Sequence, residues 1–352
     1  MYKKFFMGIA AMAALTLVSC SSDDLNSLSD NSSKNEAISF DGYLGRSAVA
    51  VNGSRGSVLE IDDLKKSEDG FGVFGNYNST GGQNFVSNLF NNQQVKYSST
   101  DKKWEYSPLK YWPTDGHVDF LAYAPRVDKT QLKGSSIDFT VEGDAANQKD
   151  LLWANAKNQT KEKISTEGNK VKFQFAHALS RLGYTVKLKD DYPNVTIKLN
   201  KITLAGSNDG TGTNKAFYKN GTIDLSYTST TSPTTKLWTP SEEKQDFEWY
   251  SGDDQLSKTT DVKNPDKNYL FVIPQNFSAS ASDQLYVIVD YAITYSDGTT
   301  VKPKAYKQLD KEFLQGKAYT INLTIGLTPI EFDADVTSWD PTTSTAIDAS
   351  WN

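Results

Sequence analysis

The chain is 352 residues long and carries 37 Lys and Arg against 43 Asp and Glu, a formal net charge of −6. That balance excludes nucleic-acid binding, which needs a basic stripe to neutralise phosphates. A single cysteine excludes an intrachain disulfide and a cysteine-built metal site.

The N-terminus opens with Lys3 and Lys4, then an apolar run from Phe5 to Val18, then Ser19 and Cys20. A charged start, a short apolar stretch and a small residue before the cut read as a secretory signal peptide over 1–19, and the run is too short to span a bilayer well. Leu17-Val18-Ser19-Cys20 looks like a bacterial lipobox, so Cys20 is expected to be acylated and to become the first mature residue. More than one acyl chain is what stable anchoring requires. Ser21-Ser22-Asp23-Asp24 resembles the surface-export signal of some anaerobic Gram-negative bacteria, which points to a surface-exposed outer-membrane lipoprotein. Residues 20–36, rich in Ser, Asp and Asn, bury too little to offset ordering entropy and read as a lipidated flexible tether.

From Ala37 onward the pattern has period two, in short pieces separated by Gly, Asn, Asp, Ser and Thr, as in an all-β fold. Val171, Phe173 and Phe175 alternate with Lys172 and Gln174; Tyr319, Ile321, Leu323 and Ile325 with Thr320, Asn322 and Thr324; Ile330, Phe332, Ala334 and Val336 with Glu331, Asp333 and Asp335. Residues 118–124, 182–188 and 286–295 are more continuously apolar, as expected of strands inside a sandwich. Asp209-Gly210, Asn220-Gly221 and Asp297-Gly298 read as hairpin turns. Short helices are expected only near 59–66 and 310–314. The boundary between two units is placed at Lys189-Asp190-Asp191-Tyr192-Pro193, giving an N-terminal β-sandwich domain over 37–190 and a C-terminal one over 191–352, each with about seven strands.

Chemistry-bearing patterns are sparse. A His-based centre would need both His117 and His177. His177 falls in register with Val171, Phe173 and Phe175 and reads as a core or interface histidine bonded to a backbone group, while His117 lies in the turn Thr114-Asp115-Gly116-His117. The acid pairs Asp62-Asp63, Asp190-Asp191 and Asp253-Asp254 suit solvated turns better than a glycosidase cleft. No G-x-S-x-G, Walker or dinucleotide motif is present, so no enzyme, cofactor or metal is expected. Trp104, Trp112, Trp153, Trp238 and Trp339 neighbour strand-like segments and read as core, although surface aromatics that stack on sugars would suit a glycan-binding module.

Several segments fall in one order: Ile38-Ser39-Phe40; Arg55-Gly56; Gly70-Phe71-Gly72-Val73-Phe74; Lys110-Tyr111-Trp112-Pro113; Phe120-Leu121-Ala122-Tyr123-Ala124-Pro125; Asp150-Leu151-Leu152-Trp153-Ala154; Phe173-Gln174-Phe175-Ala176-His177-Ala178-Leu179-Ser180-Arg181-Leu182; Gly316-Lys317-Ala318-Tyr319; and Val336-Thr337-Ser338-Trp339. Together they resemble the fimbrillin family of pilus subunits. The resemblance implies two tandem transthyretin-like Greek-key β-sandwich domains. It also implies a route: export as a lipoprotein, cleavage after an Arg by a trypsin-like protease, loss of the first strand, and entry of a strand from the next subunit into the groove left behind.

In this chain the departing strand would be 37–44, with Ile38 and Phe40 on one face continued by Gly42 and Leu44. Arg55 stands where the family cut is expected and Arg46 is the alternative, both in Gly/Ser/Asn-rich sequence that proteases nick. The last strong strand, 330–339, is followed only by a polar, Thr-rich tail with Ile347 and Trp351, which departs from a long apolar donor. The expected function is a structural or adhesive subunit, stalk or tip, of a surface pilus. Its partners would be other pilus subunits, the membrane before processing, and a host or bacterial surface receptor. The alternative is a surface lipoprotein that binds glycans and does not polymerise.

Overall fold

The computed structural model describes residues 36–44, 61–79, 84–166, 168–227, 237–264, 269–278, 282–327, 331–338 and 344–345. Among them the chain is almost entirely β-structure. The first eight strands are β1 (Phe40–Leu44), β2 (Phe71–Asn78), β3 (Phe90–Ser98), β4 (Lys103–Glu105), β5 (His117–Ala124), β6 (Ser136–Thr140), β7 (Leu152–Gln159) and β8 (Val171–His177), with helices α1 (Ile61–Lys66) and α2 (Lys161–Ser165) between them. Seven of these strands form one sheet in the order β1-β8-β7-β5-β2-β3-β4. The sheet curls until β1 approaches β4. Two bonds close the gap: Ile38 N–H donates to Lys110 O at 2.8 Å, and Trp112 N–H donates to Glu36 O at 3.0 Å.

Alternation decides which side chains enter this curl. Val171, Phe173 and Phe175 of β8 are buried while Lys172 and Gln174 face water. β5 is apolar on both sides: Val118, Phe120, Ala122 and Ala124 join the inner core, and Leu121 and Tyr123 join a second core on the opposite face. A strand covered on two faces has no polar side to alternate with.

The remaining strands are β9 (Ser180–Leu188), β10 (Val195–Ala205), β11 (Phe217–Tyr218), β12 (Asn220–Asp224), β13 (Trp238–Pro240), β14 (Lys244–Gln245), β15 (Phe247–Gln255), β16 (Val262–Lys263), β17 (Leu270–Val272), β18 (Gln275–Asn276), β19 (Leu285–Tyr295), β20 (Thr300–Val301), β21 (Lys304–Leu309), β22 (Glu312–Phe313), β23 (Lys317–Ile325), β24 (Glu331–Ser338) and β25 (Ser344–Thr345). β9 is flanked by β16 and β17 on one side and by β23, β24 and β25 in turn on the other. A second sheet runs β15-β10-β19, with β20 and β21 beyond β19. Leu182, Tyr184 and Val186 of β9 and Ile321 and Leu323 of β23 share one core with Leu199 and Ile202 of β10 and Val287 and Val289 of β19. That core continues through Ile137, Ile223 and Trp238 of the small sheet β6-β12-β13 to Leu121 and Trp153 of the N-terminal sheet.

The change of sheet falls between His177 and Ser180, because β9 pairs in parallel with β23 and antiparallel with β16 and β17. β6 likewise crosses over to pair with β12. Three expectations are corrected. Residues 310–314 contain the strand β22, which pairs with β18, because Phe313 is drawn into a ring cluster with Phe217, Phe277 and Tyr319; burial overrides local helix preference there. Asn220-Gly221 opens β12 rather than making a turn, and Gly221 admits the close approach of Pro240 and the Trp238 ring. Asp209-Gly210 makes no hairpin, since β10 pairs with β15 and β19. Asp297-Gly298 does join the antiparallel pair β19 and β20, with Gly298 at φ +83. The α2 helix was not expected; its N-cap is Thr160, whose hydroxyl accepts from Lys163 N–H at 3.2 Å.

Tyr319 carries a pH signature of this core. Burial pushes its phenol up to about 12 from the ordinary 10.0, and its oxygen accepts from Leu314 N–H at 2.8 Å. The folded chain holds this proton more tightly than the unfolded one, so the stabilisation is intact below pH 10 and is lost as pH rises towards 12. Thermal melts from pH 8 upward are expected to show the fall, with a shallower slope in Tyr319→Phe.

Candidate functional site

The seat of β1 is the feature of the described residues that matches the expected role. β1 runs parallel to β8 in the register Phe40 to Val171, Gly42 to Phe173 and Leu44 to Phe175, and it is the outermost strand of its sheet. Phe40 and Gly42, with Ile38 just ahead of the strand, are buried, Leu44 is half-buried, and Tyr43 is 43% exposed. Phe40 sits within a ring cluster, 5.4 Å from Phe90 and from Tyr106, 5.5 Å from Phe120 and 5.6 Å from Phe173. Such pairs contribute about 0.5–1.5 kcal/mol each beyond the area they bury.

Polar contacts fix the register. Val171 N–H donates to Ser39 O at 2.8 Å and the Ser39 hydroxyl donates to Asn169 O at 2.8 Å. Tyr106 Oη–H donates to Ile38 O at 2.6 Å, and burial pushes the Tyr106 phenol above its ordinary value. Nothing local in the sequence marks Tyr106, whose partner lies just ahead of the first strand. The seat holds no reacting group; its chemistry is that of an edge strand held by main-chain bonds and apolar insertion. Arg46, Arg55 and Cys20 lie outside the described residues, as does Trp339.

A second constellation gathers polar residues from two of the sequence motifs. His177 at the end of β8 donates from Nδ1 to Asp150 Oδ2 at 2.8 Å, and the Asp150 side chain is fully buried. Beside the backbone partner expected from the sequence stands a carboxylate that the sequence does not announce: Asp150, just ahead of β7, brings an acceptor-only group to the imidazole. Arg181 of β9 lies with its guanidinium 4.4 Å from the centroid of Tyr269. Burial lowers the Arg181 pKa, and the neighbouring Tyr269 and Asp150 act in the opposite direction. The cluster therefore ties the N-terminal sheet to β9.

His117, the first residue of β5, stands with Nε2 3.6 Å from Asp119. Among the described residues no group of three or more His, Cys, Asp or Glu is placed to hold a metal ion. Trp104, Trp112, Trp153 and Trp238 are buried, as the sequence indicates. Tyr286 and Tyr306 form a ring pair inclined at 73°, which offers no common plane for a sugar face. Asp253 pairs with Lys198 at 2.8 Å on the surface and Asp254 accepts from Tyr250 Oη at 2.8 Å.

A fimbrillin-like family model matches residues 59–339. The chain belongs to the fimbrillin-like family. Its fold is that of a fimbrial protein from Bacteroides vulgatus ATCC 8482, with a TM-score of 0.66 at 20% identity, covering 86% of this chain and 99% of that one. A protein from Bacteroides ovatus ATCC 8483, assigned to cell adhesion, is similar with a TM-score of 0.50 at 13% identity, covering 87% of this chain and 98% of that one. No curated protein sequence matches the chain.

In this fimbrillin-like chain the ring cluster around Phe40 is expected to dominate the hold on β1. Phe40→Ala should destabilise the chain by about 3–5 kcal/mol, the usual range for a buried phenylalanine. Tyr106→Phe, which removes the hydroxyl that donates to Ile38 O and accepts from Lys110 N–H at 3.3 Å, should cost about 1–2 kcal/mol. Urea unfolding of both variants checks the ranking.

Proposed function

We propose that the chain is a structural or adhesive subunit of a cell-surface pilus, delivered to the outer membrane as a lipoprotein anchored at Cys20. It is assembled by cleavage after Arg55 or Arg46, departure of β1 and addition of a strand from the next subunit. The reading takes the chain as two tandem transthyretin-like Greek-key units, 37–190 and 191–352.

The observation that carries it is the position of β1. It is an edge strand, it fills the inner core with Ile38 and Phe40, and it precedes the stretch 45–60 that contains both arginines. Removing such a strand exposes a sheet edge and an apolar slot together, and a second extended strand satisfies both at once. Family membership adds the context of fimbriae and adhesion.

The test is to express residues Ser21 to Asn352, treat them with trypsin under native conditions, sequence the new N-terminus and inspect the product by electron microscopy. A start at Gly56 or Ser47 with fibres is the expected result. Cleavage without fibres would assign the chain to a position that accepts a strand but does not pass one on, such as a tip. Resistance at both arginines would overturn strand release and favour a non-polymerising surface module.

A further inference from the structure

Phe40 and Gly42 make opposite demands on whatever lies against β8. Phe40 fills a site walled by Phe90, Tyr106, Phe120 and Phe173. Two residues later on the same face, a Cβ placed on Gly42 would lie 3.2 Å from Phe175 Cε2 and 3.6 Å from Phe71 Cε1. Those two rings are buried and pack against each other at 5.4 Å, so neither has free space to retreat into. Gly42 is in extended strand without a positive φ; space, rather than conformation, is what requires glycine there.

We infer that the seat selects its occupant by shape: it accepts a strand parallel to β8 that carries a large aromatic residue and, two positions later, glycine. The inference rests on the strand-release reading and specifies the partner, a segment of another subunit with the order apolar-x-aromatic-x-Gly, as in Ile38-x-Phe40-x-Gly42. Phe40's ring cluster supplies the hold. Phe175 and Phe71 form a gate that a branched side chain cannot pass.

Two measurements separate the inference from the reading beneath it. In the first, thermal unfolding of the full chain is compared for Gly42→Val, Phe175→Leu and the double variant, with Gly42→Ala as a milder form should Gly42→Val not fold. Valine favours strand over glycine, so a lower Tm has to come from the clash. The Gly42 variant is expected to melt lower, and Phe175→Leu to recover part of that loss. A Gly42 variant that melts with or above the parent overturns the gate.

In the second, the chain cut by an Arg-specific protease is offered fluorescein-labelled peptides of residues 37–44, parent or Gly42→Val, and anisotropy is read. The Val peptide is expected to bind about tenfold or more weakly, the scale of an overpacked core site. Equal binding overturns the selection and leaves strand release standing. If neither peptide binds, strand release is overturned, and the melts alone decide whether the gate exists.

Discussion

The free edge of β8 sets the problem that the N-terminal half of this chain solves. β8 pairs with β7 at Ala176 and His177, while along residues 171–175 its edge has main-chain groups in need of partners and Phe173 and Phe175 are buried in an aromatic interior. β1 answers both demands with one short segment. Its parallel ladder caps the edge, and Ile38 and Phe40 complete the interior. The curl of the sheet follows, because the residues just before β1 must also bond to 110–112 beyond β4. The strand thus closes the sheet as a clasp would, and everything packed on the inner face depends on its presence.

The other face is held by different means. Here the N-terminal sheet shares a continuous apolar core with the C-terminal layers, and directional bonds fix the alignment. Trp238 Nε1–H donates to Ala178 O at 2.7 Å, and the buried Gln148 accepts from Phe271 N–H at 2.6 Å while donating to Glu142 O at 2.8 Å. Asp150, His177 and Arg181 add ionic character close to the chain's passage from one sheet to the other. Buried polar groups of this kind contribute little net energy but penalise any other alignment, since each would lose its partner. The motif residues Asp150, His177 and Arg181 are thereby explained as joinery between layers.

Much of this was legible in the sequence, and the exceptions share a cause. Strands with one wet face, such as β8 and β23, announce themselves by alternation, and the doubly buried β5 by its apolar run. The first strand and its inward face, Ile38 and Phe40, were also readable. What failed were inferences from local chemistry to non-local geometry. Asn220-Gly221 looks like a turn until Trp238, brought beside it by β13, supplies the reason for glycine. Phe313 belongs to a strand only because Phe217 and Phe277 wait for it. The pairing of β9 with β23 cannot be read from 180–188, whose apolar pattern suits either half. Gly42 carries no local sign of its role, which exists only because two distant rings converge on it.

The crossing of β6 to β12 and the parallel union of β9 with β23 have a consequence for how the chain must be made. Neither β6 nor β9 can complete its ladder from sequence that precedes it; their partners come much later in the chain. Closing such long loops precedes the contacts that reward it, so folding is slow and leaves adhesive edges uncovered in the interval. A chain wired this way stays unfinished through most of its synthesis, and becomes a finished object only when its last third arrives.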